Sequence, residues 1–288
     1  MSPRVGKGIG SVLAVAVCTA VLPQALPQPA HAQGRLDARF SASLSGIPIG
    51  RGAWVVDIDR DKYVAAASGA AAGLLRIFSS GEGTGASRGS IIDGRFSPTS
   101  FAASITAGKR TDEVRMALSN GVIKDLSVIP PVKPDPGRVE IAPKHRRGVV
   151  DPMTGSLFRS IVPHDPLVPG SCDRTTSVFD GHMRYDVQYA FKRMDRVKAE
   201  GYSGPALVCA AYFFPIAGHV PSRTAIKYLI KQRDIEFWFA PIAGTKVLVP
   251  FRLIIPTPLG PGVVEATRFD SLPRRRVQAT PTNAKARR

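Results

Sequence analysis

The sequence predicts a mainly β protein, an antiparallel, partly open barrel or strongly curved sheet with one or two short helices. Many segments alternate apolar and polar residues with a period of two, which is typical of antiparallel strands with one buried face. Glycine and proline, at 27 and 25 of 288 residues, are too frequent for a helical bundle. Stretches with helical spacing of apolar residues are short, so we expect little helix.

The composition excludes two classes of protein. Hydrophobic residues make up 44% of the chain and the mean hydropathy is 0.00. A polytopic membrane protein would be far more apolar, and a wholly disordered chain would lack this much apolar content. The chain carries 39 Lys and Arg against 22 Asp and Glu, a formal net charge of +17.

The first 32 residues have the order of parts of a secretory signal peptide. Arg4 and Lys7 precede the uncharged, mostly apolar stretch 8–22, and Ala-His-Ala at 30–32 offers a cleavage site. The stretch is shorter than the roughly 20 residues of a membrane-spanning helix. We therefore predict cleavage after Ala32 and a periplasmic mature protein.

Two cysteines remain after the leader, whose own Cys18 is preceded by Val17 and so fits a lipoprotein site poorly. An even number of cysteines in an oxidising compartment indicates one disulfide, between Cys172 and Cys209. Neither residue belongs to a Cys-x-x-Cys motif or to a spacing typical of a zinc site.

The strand candidates follow one another along the chain, and about twelve short strands are expected. They include residues 40–44, 54–58, 64–68, 74–78, 185–189, 207–213, 235–239, 246–249, 251–255 and 263–269. Asp151 followed by Pro152 is typical of a helix start and predicts a short helix through Phe158. Residues 225–233 fit either a helix or an extended segment.

We expect a signal peptide at 1–32, a single β-rich domain at 33–272 and a basic disordered tail at 273–288. A proline-rich connection at about 128–148 interrupts the domain, and is either a lid or a spacer between two halves of one sheet, with the spacer favoured. The tail carries Arg274, Arg275 and Arg276, which could contact an anionic surface weakly. Export argues against a nucleic-acid partner despite the positive charge.

Motifs for catalysis are weak. Gly85-Ala86-Ser87-Arg88-Gly89 matches G-x-S-x-G, but it lies in a Gly/Ser-rich stretch that we interpret as a loop between strands rather than a nucleophile turn. The histidines are scattered without a paired spacing, so we predict no metal site and no cofactor. No catalytic residue is assigned.

The segment 177–186 allows two interpretations. Asp180 and Gly181 form a hairpin-turn pattern, with Arg184 pairing a nearby carboxylate. Alternatively, Asp180, Arg184 and Asp186 form a polar cluster that binds a ligand. The structural interpretation is favoured.

An ordered series of short segments resembles a family of exported Gram-negative proteins, the domain of unknown function family 3108. The series is Ile47-Pro48-Ile49-Gly50, Tyr63, Phe96-Ser97-Pro98, Asp151-Pro152-Met153-Thr154, Cys172, Val178 to Tyr185, Cys209, Ile216-Ala217-Gly218 and Glu236-Phe237-Trp238. The resemblance covers roughly residues 36–270. It implies an exported β-rich domain of the cell envelope, similar to the open barrels of periplasmic lipoprotein and lipid carriers, with no established catalytic residue.

Together these observations predict a non-enzymatic envelope protein that binds an apolar ligand, such as a lipid, or an envelope protein on a curved sheet. Trp54, Phe213 and Trp238 are the candidate lining residues, although for each of them a place in the ordinary core is the favoured interpretation. The alternative is a hydrolase acting on envelope glycan or lipid, which would need a converging carboxylate pair or a Ser/His/Asp set.

Overall fold

The computed structural model describes residues 33–72, 81–160 and 165–273. These residues form fourteen strands: β1 (Gly34–Leu44), β2 (Ile47–Ile58), β3 (Lys62–Ala71), β4 (Gly81–Ile92), β5 (Arg95–Ala107), β6 (Arg110–Ser119), β7 (Val122–Ile129), β8 (Phe158–Arg159), β9 (Arg174–Phe179), β10 (Arg184–Ala199), β11 (Tyr202–Ala217), β12 (Ile235–Pro241), β13 (Val247–Thr257) and β14 (Gly260–Pro273). Two α-helices, α1 (Pro152–Gly155) and α2 (Thr224–Lys231), and 3₁₀ turns at Pro143–Arg146 and Pro169–Ser171 complete the elements.

All strands belong to one antiparallel sheet that does not close. The order is β7-β6-β5-β4-β3-β2-β1-β14-β13-β12-β11-β10-β9, with β8 pairing β13. Apart from the β1–β14 pair, which joins the two ends of the domain, each step along this order links strands that follow one another in the chain. The prediction of a mainly β, antiparallel, open architecture is confirmed.

A strip of irregular backbone lies between the two edge strands. Arg147 bridges to Val122 on β7, and Val150 bridges to Val178 on β9. The Val149 N–H donates to the Gly121 carbonyl at 3.0 Å. The backbone at the end of the proline-rich connection therefore contacts both edge strands of the sheet.

Several elements differ from the sequence-based expectation. The strands are longer than expected, up to 16 residues in β10 and β11. The stretch 81–92, interpreted as a loop around Ser87, is strand β4, and β5 to β7 follow it. The first helix ends at Gly155 rather than Phe158, because Phe158 starts β8.

The core fills the concave face of the sheet. On β1 and β2, alternate residues such as Leu36, Val56 and Ile58 are buried there. The single-turn helix α1 also packs inside, since a side chain added at Gly155 would meet Thr176 and Val178 of β9 at 3.2 Å. The interior of the curved wall is therefore occupied by both sheet side chains and a helical turn.

Candidate functional site

The main apolar opening on the inner face is a groove of about 510 Å³. We call it the apolar groove. Its larger lining side chains are Phe40, Trp54, Phe237, Phe251, Leu253 and Val264, and Ser156 after α1 also contributes. Its volume falls within the range of roughly 300–1,000 Å³ typical of small-molecule sites.

The groove exists because inner-face side chains become small along β2 and β3. At one end of this pair large side chains face each other, with Ile58 opposite Tyr63. At the other end Gly52 lies opposite Gly69, and Gly50 lies opposite Ala71. The missing side-chain volume leaves the groove unfilled, because a strand pair keeps its backbone spacing whatever its side chains are.

Only one of the three predicted lining aromatics reaches the groove. Trp54 lines it. Trp238 is buried outside it, and Phe213 packs against Tyr185 with ring centroids 5.3 Å apart. Phe213 and Trp238 are therefore not among the residues that line the apolar groove.

Trp238 instead forms the centre of a charged stack. The guanidinium groups of Arg252 and Arg193 lie 4.5 and 5.0 Å from its ring. Its Nε1 donates to Glu236 at 2.9 Å. Cation–π contacts of this kind hold the indole between two cations and one carboxylate.

Glu236 accepts from three side chains and is strongly acidic. Arg193 donates to both of its carboxylate oxygens at 2.9 and 3.0 Å, and Lys192 lies 2.7 Å away. The hydrogen bonds from Arg193 are the main reason that the pKa of Glu236 is lowered to about 2. The carboxylate stays charged at neutral pH and anchors the stack.

A second polar group is fully buried at α1. Asp151 is 0% exposed and caps the helix by accepting from the backbone N–H of Met153 and Thr154 at 3.0 and 2.9 Å. The Ser87 hydroxyl donates to the same carboxylate at 2.9 Å, and the Thr154 hydroxyl lies 2.6 Å from that of Tyr63. Desolvation raises the pKa of Asp151, while these donors oppose the rise.

This arrangement makes Ser87 a structural residue. Its side chain lies on β4, is 2% exposed, and hydrogen-bonds with Asp151 and Thr154. A serine nucleophile needs an accessible hydroxyl activated by a base such as histidine. The G-x-S-x-G match therefore marks the contact that ties the inner helix to the sheet.

The 177–186 segment is a hairpin turn, as the structural interpretation predicts. The Asp180 carboxylate accepts from the backbone N–H of His182 and Met183 at 2.8 and 2.7 Å, and Gly181 has a φ of +97°. Arg184 pairs with Asp186 at 2.8 Å. The Asp180 carboxylate thus caps the turn between β9 and β10.

Cys172 and Cys209 are joined by a disulfide, with Cα atoms 5.6 Å apart. Both residues are fully buried among apolar side chains, including Phe158 and Leu248. The bond connects the segment just before β9 to the middle of β11, and β10 lies between those two strands in the sheet.

Some predicted features lie outside the described residues: the signal peptide with its cleavage site after Ala32, the strand at 74–78 and the tail with Arg274, Arg275 and Arg276. Across residues 33–72, 81–160 and 165–273, no helix is long and apolar enough to cross a membrane. Within the same ranges no group of three or more His, Cys, Asp or Glu is placed to hold a metal ion.

Sequence reasoning missed the small residues that create the groove. The signal was present as glycine or alanine at every second position, Gly50 and Gly52 on β2 and Ala67, Gly69 and Ala71 on β3. Such a pattern shows that one strand face lacks side-chain volume. Whether the gap is open or filled depends on what packs opposite, which only the fold determines.

Comparisons with known proteins place these features in a family. No curated protein matches the chain. Among solved structures, the beta-barrel-like protein of domain of unknown function DUF1849 from Brucella abortus is similar at 9% identity and a TM-score of 0.41, over 83% of this chain and 98% of that one. The sequence model described as protein of unknown function (DUF3108) matches residues 39–267. That match spans well over half of the sequence, and the chain therefore belongs to the DUF3108 family.

Proposed function

We propose that the protein is a non-enzymatic binding protein of the cell envelope that holds an apolar ligand chain in the apolar groove. The observation that carries the proposal is the groove itself, a preformed concave space with mostly apolar walls and few polar groups. Acyl chains are the flexible apolar ligands most abundant in an envelope, and they fit a site that recognises shape rather than hydrogen-bond pattern.

The polar groups of the interior support a binding role over catalysis. The carboxylates of Asp151 and Glu236 are each satisfied by several donors from the protein. Asp151 is sealed from solvent, and Glu236 is held ionised by cations. A hydrolase would need a titratable group poised near neutral pH at an accessible position.

The periplasmic location is part of the proposal and rests on the order of charge, apolar stretch and small residues in 1–32. A disulfide between Cys172 and Cys209 suits an oxidising compartment. Mass spectrometry of the protein recovered from the periplasm would show a mature chain beginning at Gln33. A mature chain that retains residues 1–32 would contradict this location.

Ligand binding can be tested by filling the groove. Ala67 lies on its floor, while its neighbour Ala66 points to the exposed outer face of β3. We expect Ala67→Phe to weaken binding of the fluorescent fatty acid cis-parinaric acid roughly tenfold, because the ring would occupy the space of the acyl chain. Ala66→Phe is the matched control and should bind as the wild type does.

Native mass spectrometry of the protein purified from the periplasm gives a second readout. A co-purified lipid present in the wild type and depleted in Ala67→Phe supports the proposal. Failure of the wild type to bind the fatty acid, or equal weakening by both phenylalanine variants, would contradict it.

A further inference from the structure

A second cavity of about 450 Å³ lies on the other side of α1. We call it the arginine cavity, because Arg95, Arg159 and Arg174 all line it. Thr154 and Gly155 of α1 contribute to its wall, whereas Ser156 just after the helix faces the apolar groove. The helical turn thus separates two cavities of opposite character.

The described residues that line the arginine cavity include no carboxylate. Besides the arginines they are Gly94, Phe96, Gly148, Val150, Thr154, Gly155, Leu157, Thr175, Thr176 and Ser177. None of the three arginines forms an ion pair with a described residue. Nine other Lys or Arg side chains of those ranges do so: Arg35, Arg110, Arg115, Arg184, Lys192, Arg193, Arg223, Arg252 and Arg268. As far as the described residues show, the cavity therefore concentrates positive charge without a counter-ion in its lining.

Arg174 is held in place by neutral contacts. Its guanidinium lies 4.5 Å from the centre of the Phe158 ring, and one of its nitrogens donates to the Arg159 carbonyl at 3.1 Å. Burial lowers the pKa of Arg174, the direction expected for a cation that no carboxylate compensates. Among the described residues, ring stacking and one carbonyl orient the guanidinium and leave other donors unused.

The other two arginines converge on the same space. The Arg159 side chain extends toward the turn between β4 and β5, because one of its nitrogens lies 3.8 Å from where a side chain on Gly94 would begin. Arg95 follows that turn at the start of β5. The nearby Asp186 does not neutralise them, since Arg184 and Ser177 already bind its carboxylate at 2.8 and 2.7 Å.

We propose that the arginine cavity binds a phosphate-type oxyanion through Arg95, Arg159 and Arg174. Planar guanidinium groups match the geometry of phosphate oxygens. Thr176, which lies on the same face of β9 as Arg174 and lines the cavity, adds a neutral donor. The volume leaves room for a small organic group beside the phosphate. A soluble phosphomonoester and the phosphate of a lipid headgroup share this chemistry.

Isothermal titration calorimetry with glycerol phosphate and inorganic phosphate, at low ionic strength, tests the soluble source. We expect Arg159→Gln and Arg174→Gln each to weaken binding roughly tenfold or more, since charged hydrogen bonds are strong. Arg110→Gln, at an exposed arginine paired with Asp112, is the matched control. Arg159 is not part of the aromatic stack, so its variant remains informative even if Arg174→Gln folds poorly.

Flotation with phosphatidylglycerol vesicles, compared with phosphatidylcholine vesicles, tests the lipid source. Binding of soluble phosphates that depends on the cavity arginines supports the site and assigns a soluble ligand. Binding of phosphatidylglycerol vesicles alone, with the same dependence, supports the site and assigns a lipid headgroup. Absence of both, or equal weakening by Arg110→Gln, overturns the inference. Fatty-acid binding in the apolar groove should stay unchanged in these variants, so the two proposals fail separately.

Discussion

At the scale of single residues, Asp151 is the wholly buried carboxylate to which the hydrogen bonds around α1 converge. It accepts two backbone and two hydroxyl hydrogen bonds while wholly buried. Ser87 on β4 and Thr154 on α1 meet at this one carboxylate. The sequence predicted the helix-capping role of Asp151, because Asp before Pro is a local pattern, but it could not predict that Ser87, 64 residues away, would share the carboxylate.

We expect Asp151→Ala to lower the free energy of unfolding by about 2–4 kcal/mol, because four buried donors lose their acceptor. Asp61→Ala, at an exposed position of the β2–β3 turn, is the control and should change it by less than about 0.5 kcal/mol. Urea denaturation followed by circular dichroism measures both. Equal stability of the two variants would show that the cluster around α1 is dispensable.

The same geometry predicts that Ser87 is unreactive. A fluorophosphonate probe should leave the folded protein unlabelled, since the hydroxyl is buried and hydrogen-bonded to a carboxylate. Labelling of the wild type that disappears in Ser87→Ala would instead favour a hydrolase. Mass spectrometry of the treated protein distinguishes the two outcomes.

Glu236 links stability to pH with a definite sign. Its pKa in the folded protein is lowered to about 2 from an ordinary 4.5, so folding favours the ionised form. The stabilisation is complete above about pH 4.5 and is lost as the pH falls toward 2. We expect Glu236→Gln to be less stable by about 1–2 kcal/mol at pH 7, with a smaller difference in acid.

Urea denaturation at pH 7 and pH 3 checks this behaviour. Glu113→Gln is the control, because its partner Arg115 is mostly solvent-exposed and surface ion pairs contribute little. A Glu236→Gln protein with the acid sensitivity of the wild type would contradict the assignment.

At the scale of elements, β4 shows where sequence patterns fall short. Its residues 81–90 include four glycines, which local propensity assigns to a loop. They form a strand because both neighbours, β3 and β5, supply full ladders of backbone hydrogen bonds. Strands that alternate large apolar and polar side chains, such as β2 and β10, could be predicted because their buried face is apolar. Strand β4 could not be predicted from its sequence, because its inner face has almost no side chains.

Two glycines of neighbouring strands should respond differently to substitution. A Cβ at Gly89 would collide with the Ser97 carbonyl and lie 2.7 and 2.8 Å from Pro98 and Tyr63. At Gly69 of β3 the nearest atom is the Arg51 carbonyl at 3.6 Å. We expect Gly89→Ala to cost about 2 kcal/mol or more through overpacking, and Gly69→Ala to be neutral or slightly stabilising.

Thermal and urea denaturation of both alanine variants measure this contrast. The outcome depends on the register shift between Arg88 and Gly89, which brings the β5 backbone close to Gly89. Tolerance of alanine at Gly89 would show that β4 and β5 can move apart there.

At the scale of the whole molecule, the sheet depends on pairing between strands that are far apart in the sequence, which composition does not reveal. Strand β1 pairs with β14, so Leu36 lies opposite Ser271. The mainly β class and the open architecture could be predicted from alternation and turn residues. The identity of the edge strands could not, because it depends on pairing between the ends of the domain.

The disulfide should contribute substantially to stability. Its cysteines are separated by 37 positions, and the entropy of closing such a loop in the unfolded chain corresponds to about 4 kcal/mol. We expect the Cys172→Ala/Cys209→Ala double variant to lose about that much in urea denaturation. Reduction should destabilise the wild type and leave the double variant unchanged; equal effects of reductant on both would contradict the prediction.

The irregular backbone between the edge strands β7 and β9 determines where the sheet opens locally. Along most of the wall every strand is held by a full ladder, but here the backbone is fastened by isolated bonds, such as Val150 N–H to the Ser177 carbonyl and Phe179 N–H to the Val150 carbonyl, each 2.9 Å long. Opening this segment requires breaking only a few hydrogen bonds, whereas opening a strand elsewhere requires breaking a whole ladder of hydrogen bonds together. We therefore expect local opening of the sheet to start in this segment. Hydrogen–deuterium exchange should show the amide hydrogens of Val149 and Val150 exchanging with solvent sooner than those in the middle of β1.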